Sequence, residues 1–384
     1  MHSIQLVMSD LFDMLSGWIR DCTILKCYIF EVSMWYMLDL TKLELGDIIL
    51  ESGTTKNSGI IKFWTDSEYS HAMLYVGNSI IHAMPNGVYS KNPQRILVKS
   101  KNGLKVLRAK SRLNEKNKEV ICNYARNLTG SIYNAVEAGA SVVFNKVKKQ
   151  AITSEQFCSR LVSQSYIQSG ISLVKNYDYC SPEEINQSSA LKEVTDCVRA
   201  ASDKEVEFFN SPDPILENQE RTFKWLNQAR DLFKNKNVNI QTIGDVQASL
   251  MNHQELDDEI VGYVQDSKYW QHFNYDTKVN PHRYDLELFF KRFQQSGEDW
   301  DWFYGELNKE PAEITRHANS YFTSGLNWVH LNLNFHKYDQ ELYKNLLLLT
   351  KERLNIMKQF SIAMRQPKLV EITTYLYDQV SKKI

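Results

Sequence analysis

The sequence predicts an α+β fold, with a small antiparallel sheet in the first part and a mostly α-helical second part. Two observations carry this reading. Ten of the 15 glycines fall in the first 170 residues, amid short β-branched runs and turn signals. Beyond about residue 200 the chain becomes rich in Lys, Glu, Gln, Asn and Leu at helical spacing. The expected organisation is an N-terminal helical extension over residues 1–40, a mixed domain over 41–198 and an α-helical domain over 199–384. A length of 384 residues agrees with more than one domain.

Composition narrows the class. Apolar residues make up 43% of the chain and aromatics 12%, which excludes a disordered, collagen-like or rod-like chain. Lys and Arg number 45 against 46 Asp and Glu, so the formal net charge of −1 gives no global pull toward a polyanion, and no nucleic-acid partner is expected. In the first 40 residues, Asp10, Asp13, Arg20, Asp21, Lys26, Glu31 and Asp39 interrupt every window of the roughly 20 apolar residues that a bilayer span needs. No transmembrane segment is expected there. A basic n-region and an unbroken apolar stretch are also missing, so the expected location is cytoplasmic, or exported by a route without a cleaved signal peptide. The six cysteines, Cys22, Cys27, Cys122, Cys158, Cys180 and Cys197, show neither CxxC pairs nor metal spacing, and are read as reduced thiols. Neither a metal nor a cofactor is expected.

Taken in chain order, Leu45-Gly46-Asp47-Ile48-Ile49-Leu50 reads as a turn leading into a strand. Ser70 to Val76 alternates as a second strand, a third begins at Ile80, and Gly77-Asn78-Ser79 between them is a tight hairpin signal. With Gly77 and Asn78 as the turn residues, Val76 pairs with Ser79 and His82 lies opposite Met73, on the face that also carries His71 and Tyr75. The two imidazoles then become diagonal neighbours, whereas a slip of one residue would send them to opposite faces. Further on, Thr153 and Gln156 have capping-box spacing ahead of a helix whose buried stripe is Phe157, Leu161 and Val162 and whose natural stop is Gly170. Cys158 thus falls in the early turns of a helix, where the positive end of the macrodipole favours thiolate.

In the second part, Ser211-Pro212-Asp213-Pro214 marks the boundary, with Asp213 placed to cap a helix that starts at Pro214. Asp299-Trp300-Asp301-Trp302-Phe303-Tyr304 reads as core or interface, since aromatic clusters in helical domains usually bury themselves. Leu346 to Leu349 with Leu354, Met357 and Phe360 read as a buried helix, flanked as they are by Lys344, Lys351 and Glu352. His253, His272, His282, His317, His330 and His336 lack zinc-site spacing, and Lys146-Val147-Lys148-Lys149 is too short a basic run to argue for nucleic acid.

A nucleophilic cysteine needs a base and a group that orients the base, and Cys158, His71 and His82 supply one each. The four segments Leu45 to Leu50, Tyr69-Ser70-His71-Ala72-Met73-Leu74-Tyr75-Val76-Gly77, Ile80-Ile81-His82-Ala83 and Phe157-Cys158-Ser159-Arg160-Leu161-Val162 together resemble the circularly permuted NlpC-type papain-like cysteine hydrolases, in particular the YiiX and YaeF group. The resemblance extends over Ser181-Pro182-Glu183-Glu184-Ile185 and so covers residues 41 to 198. It implies a permuted papain-like domain with Cys158 as nucleophile, His71 as base and His82 as orienting residue. Two departures stand out: the third position is often Glu in that branch, and Tyr133-Asn134 replaces a common Tyr-Asp pair. A histidine at the third position is similar to the lecithin:retinol acyltransferase group. The implied reaction is amide cleavage in a peptide or peptidoglycan-type substrate through an acyl-thioester. A lipid acyl substrate, handled by a thioesterase or acyltransferase, is the alternative within the enzyme class. Outside that class, an inactive papain-like module would bind a protein partner through the helical domain.

Overall fold

Six antiparallel strands form the centre of the first part in the computed structural model, which describes residues 34–52, 68–133 and 155–384. The strands in chain order are β1 (Tyr36–Leu38), β2 (Ile48–Glu51), β3 (His71–Tyr75), β4 (Ile80–Met84), β5 (Gly87–Lys91), β6 (Leu104–Ala109), β7 (Leu191–Glu193) and β8 (Val198–Ala200). The large sheet runs β5-β4-β3-β2-β6-β7, and β1 pairs separately with β8. Tyr36–Leu38, which the sequence places at the end of a helical extension, is therefore a strand, and its partner lies about 160 residues away. Met37 and Leu38 are fully buried by that long-range pairing, which overrides local preference. Residues 1–33 of the expected extension, with Cys22 and Cys27, lie outside the described residues, as do Asn134 and Lys146 to Lys149.

The expected hairpin register holds. Leu74 pairs with Ile81 and Tyr75 with Ile80, and the Val76 N–H donates to the Ser79 carbonyl at 2.9 Å. Gly77 and Asn78 both have positive φ, +82° and +53°, as a turn matched to the twist of the strands requires. Strand alternation then separates two apolar layers. Ile48, Leu50, Ala72, Leu74, Ile81 and Ala83 meet α1 (Glu115–Asn127) and α2 (Cys158–Ile167). Ile49, Met73, Tyr75 and Ile80 meet Leu38, Ile96, Val98 and Cys197 on the other side. Each fully buried Ile, Leu, Val or Met side chain in these layers stabilises the fold by roughly 1.5–3 kcal/mol relative to its exposure.

The Gly46-Asp47 turn is held by charge as well as by shape. Arg108 Nε and Nη2 donate to the two Asp47 carboxylate oxygens, each at 2.7 Å, and the Glu44 N–H adds a third bond at 2.8 Å. Asp47 is 1% exposed, so this bidentate pair compensates a buried charge while joining the start of β2 to β6. The Tyr166 hydroxyl of α2 donates to the Gly46 carbonyl at 2.5 Å, which ties the same turn to the helix that begins at Cys158.

After the short α3 (Pro182–Asn186) and strands β7 and β8, the chain is helical: α4 (Asp203–Asn210), α5 (Pro214–Lys234), α6 (Ile243–Leu250), α7 (Asp257–Ser267), α8 (Tyr275–Val279), α9 (Leu286–Gln295), α10 (Trp300–Leu307), α11 (Glu310–Leu331), α12 (Asn334–Ala363) and α13 (Pro367–Ser381). Asp213 caps α5 by accepting from the N–H groups of Ile215 and Leu216, with Pro214 in the first turn, as expected. Trp300, Trp302 and Phe303 pack with Phe289, Phe293 and Phe360 in an aromatic core. Leu347, Leu354, Met357 and Phe360 are buried along α12, although Leu348 faces outward.

This helical part grips the sheet. Arg95, 5% exposed, donates to the carbonyls of Phe209, Ser211 and Pro212 and lies over the Phe208 ring, fixing the segment between α4 and α5. The Gln219 amide of α5 both accepts from the Ser90 N–H, at 2.5 Å, and donates to the Ser90 carbonyl, at 2.7 Å. It thereby caps edge strand β5 in the way a further strand would. Phe223 stacks on Tyr89 with ring centroids 4.8 Å apart. Gln219→Ala strips both partners from Ser90, and urea unfolding followed by circular dichroism is expected to show a loss of about 1–3 kcal/mol. A loss within error of zero would mean that water replaces the amide and the cap is incidental.

Candidate active site

His71 opens β3 and His82 lies in the middle of β4, and the hairpin register brings their rings together. His71 Nε2 and His82 Nδ1 are 3.0 Å apart, with ring centroids at 5.2 Å in an edge arrangement. One proton serves this contact, so one ring donates and the other accepts. His82 is 8% exposed and His71 half-buried. Burial, reinforced by the Lys91 charge, lowers His71 from the ordinary 6.5 to about 4. Burial, then His71 and Lys91, holds His82 well below the ordinary range. Both rings are therefore neutral at pH 7.

Cys158 is the first residue of α2, and the helix lies on β3 and β4. The expected capping box is not formed. Gln156 sits in a two-residue parallel bridge with Tyr133, Phe157 caps the helix without a side-chain hydrogen bond, and Thr153 lies outside the described residues. The helix starts later than its sequence pattern suggests because the backbone of 155–157 is committed elsewhere: Gln156 N–H donates to the Ile132 carbonyl at 2.8 Å, and the Glu155 carbonyl accepts from Arg160 Nη1 at 2.8 Å. Arg160 is fully buried. Its guanidinium lies over the rings of Phe157 and Tyr179 and donates through Nε to the Asp178 carbonyl at 2.7 Å, closing the loop after α2 around the start of the helix.

The expectation that the helix start favours thiolate is corrected by burial. Desolvation is the largest influence on Cys158 and raises the thiol above the ordinary 9.0, while the N–H groups of Ala72, Ser159 and Cys158 itself, with the Ser159 hydroxyl, oppose the rise. Burial raises the other described cysteines as well: Cys122 and Cys197 up to about 11, and Cys180 up to about 12. Cys158 alone among those four is not fully buried.

The three expected site residues are thus partly brought together. The two histidines bond directly, and the thiol meets β3 at Ala72, the neighbour of His71. Among the described residues neither ring hydrogen-bonds to the thiol. Alternation puts both histidines on the Met73 and Tyr75 face, whereas α2 covers the Ala72 and Leu74 face. Two neighbours, Glu51 and Lys91, were not read from the sequence, and Tyr133 was read there only as half of the Tyr133-Asn134 pair. Glu51 pairs directly with His71 across β2 and β3, and burial raises its carboxyl against the pull of Lys91. Lys91 influences Glu51 and both histidines. Tyr133 lies by the thiol, its phenol pushed far up by burial and then by the Cys158 charge. The period of 2 in β2 could have placed Glu51 had the pairing of β2 with β3 been known. The described residues contain no group of three or more His, Cys, Asp or Glu able to hold a metal, and no helix long and apolar enough to cross a membrane.

Residues 42–212 match the family model described as permuted papain-like amidase enzyme, YaeF/YiiX, C92 family. A solved structure described as the metalloprotein YiiX from Escherichia coli O157:H7 is 19% identical, covering 40% of this chain and 97% of that one, with a TM-score of 0.32. No curated protein matches the chain significantly.

With the thiol raised, its alkylation is expected to quicken as pH rises through 9 and beyond, because the thiolate fraction grows throughout that range. Iodoacetamide labelling followed by peptide mapping measures this, and Cys158 is expected to label ahead of Cys122, Cys180 and Cys197. A rate that is flat across neutral pH would instead reveal a preformed thiolate–imidazolium pair.

Proposed function

We propose, from the premise that residues 42–212 belong to the permuted papain-like amidases of the YaeF/YiiX type, that this chain cleaves an amide bond in a peptide or peptidoglycan-type substrate through an acyl-thioester on Cys158. The observation that carries the reading is the 3.0 Å contact between His71 Nε2 and His82 Nδ1. When His71 donates its Nε2 proton to His82, the lone pair at His71 Nδ1 is left free to act as a base, beside the strand position that the thiol touches.

In this mechanism the Cys158 proton passes to His71 Nδ1 as the sulfur attacks the substrate carbonyl. Neutral histidines and a protonated thiol form the resting state, and the charge pair arises only as attack proceeds. Cys158 lies against the opposite face of the sheet at Ala72, so completing the contact requires the His71 side chain, at the first residue of β3, to swing past the end of the strand on substrate binding. The N–H groups of Cys158 and Ser159 lie at the open end of α2, where they favour the negative oxygen of the tetrahedral intermediate. His71 then returns the proton to the leaving amine, which departs as the C–N bond breaks and leaves the acyl group on sulfur. Water attacks the thioester, giving one proton to His71 and restoring the thiol when the carboxylic acid leaves.

Intact-mass measurement after incubation with peptidyl and lipid acyl esters tests this reading directly. The parent is expected to gain a peptidyl mass on Cys158, while Cys158→Ala gains nothing. His71→Ala is expected to lower turnover by roughly 10²–10⁴-fold, with a smaller loss for His82→Ala. A greater loss for His82→Ala in a folded protein would exchange the two roles. Acylation by the lipid esters alone would favour the lipid acyl substrate that a third-position histidine keeps in play.

A further inference from the structure

The start of α2 is held by a chain of hydrogen bonds that begins in the helical part. Gln241 lies between α5 and α6 and is 7% exposed. Its side-chain oxygen accepts from the Ile132 N–H at 3.0 Å, and its side-chain nitrogen donates to Asn239 Oδ1 at 2.9 Å. The Ile132 carbonyl in turn accepts from the Gln156 N–H at 2.8 Å, which forms the short bridge between Tyr133 and Gln156. Two residues later the chain reaches Cys158. Arg230 of α5 braces the same segment by donating to the carbonyls of Gly130, Gln241 and Ile240. On its other side the segment is pinned to β5, where Val88 exchanges backbone hydrogen bonds with Gly130 and Ser131.

We infer that Gln241 is a positioning residue for the nucleophile: by holding the Ile132 amide it fixes the 132–133 segment against which Gln156, and so the Cys158 end of α2, is set. The need for an outside brace follows from the helix itself, because Phe157 gives it no side-chain cap, and its first turn is otherwise held by Arg160 and by the Ser159 hydroxyl, which donates to the Cys180 carbonyl at 2.5 Å. The Gln241 side chain suits the task, since its oxygen supplies the acceptor while its amide nitrogen is occupied by Asn239. On this account the helical part is an element of the catalytic apparatus and not merely a neighbour of it. The inference rests on the hydrolase reading for its consequence in turnover, but its geometry stands on the hydrogen bonds alone.

The test uses the full chain and three variants. Gln241→Met keeps the shape and removes the acceptor. Gln241→Asn keeps the amide but falls one methylene short of Ile132. Gln241→Glu keeps the reach and the acceptor. With Met or Asn, Cys158 alkylation at fixed pH and kcat on a small activated ester are expected to fall by about 10- to 100-fold, with KM within about twofold, as for a misplaced reacting group. Hydrogen exchange is expected to quicken in the peptides that carry Ile132 and Gln156, and Glu, which keeps the acceptor for Ile132 but loses the donor to Asn239 Oδ1, is expected to retain more of the parent behaviour than Met or Asn in every measurement. Parental alkylation and exchange in both the Met and the Asn variants overturn the proposal, as does equal impairment of all three variants. Alkylation and exchange need no turnover. A parent that hydrolyses no ester therefore overturns the hydrolase reading, and these two measurements still decide the role of Gln241.

Discussion

The two-residue turn at Gly77 and Asn78 is the constraint on which the rest of the site depends. Because side chains alternate along a strand, shifting the pairing of β3 and β4 by one residue would move His82 away from His71 and expose one of two buried apolar layers. The turn admits little choice. Both of its residues have positive φ, and a Cβ added at Gly77 would come within 2.8 Å of Leu45 Cδ2. Leu45 belongs to the turn in which Asp47 binds Arg108, so the hairpin and the entry to β2 fix each other. The Tyr166 hydroxyl then connects that entry to α2, and the helix that carries the cysteine is aligned against the strand that carries the histidine.

Burial sets the electrostatic character of the site. The helix start and the nearby N–H groups favour a thiolate, yet desolvation outweighs them, and the same desolvation holds both histidines neutral. The thiol and the two imidazoles of a site built this way carry no charge at rest. In the proposed reaction its cost is a smaller fraction of nucleophile before substrate arrives; its gain is that any charge that forms during attack does so in surroundings of low dielectric, where fixed dipoles act more strongly than in water. Histidine as the third residue is consistent with this balance, since in the proposed mechanism it accepts from His71 without introducing a permanent negative charge.

Local signals were legible in the sequence and distant commitments were not. Gly77-Asn78-Ser79 between two alternating runs carries its register in three residues, and Asp213-Pro214 carries a helix start in two. The aromatic run at 299–304 announces a core by composition alone. By contrast, Tyr36–Leu38 becomes a strand only because Val198–Ala200 is there to pair with it. Gln156 leaves the expected capping box because Ile132 takes its N–H, and nothing near Gln156 in the sequence signals that. Glutamines 219 and 241 read as ordinary polar residues of a helical region. Their meaning lies in unpaired backbone groups of Ser90 and Ile132, more than 100 residues earlier.

Those two glutamines bear on the division of the chain. An edge strand with unsatisfied backbone groups is a liability, and a side-chain amide can satisfy a donor and an acceptor at once without adding a strand. Gln219 does this for β5, and β5 pairs with β4, which carries His82. Gln241 does the donor half of the same service for the segment before Cys158. Arg95 holds the connection between the two parts by its carbonyls, a contact that depends on backbone position more than on sequence. The helical part thus closes the sheet at its histidine-bearing side and braces the approach to the cysteine. A boundary drawn by composition near residue 200 marks a change of secondary structure but does not mark where the physical support of the site ends.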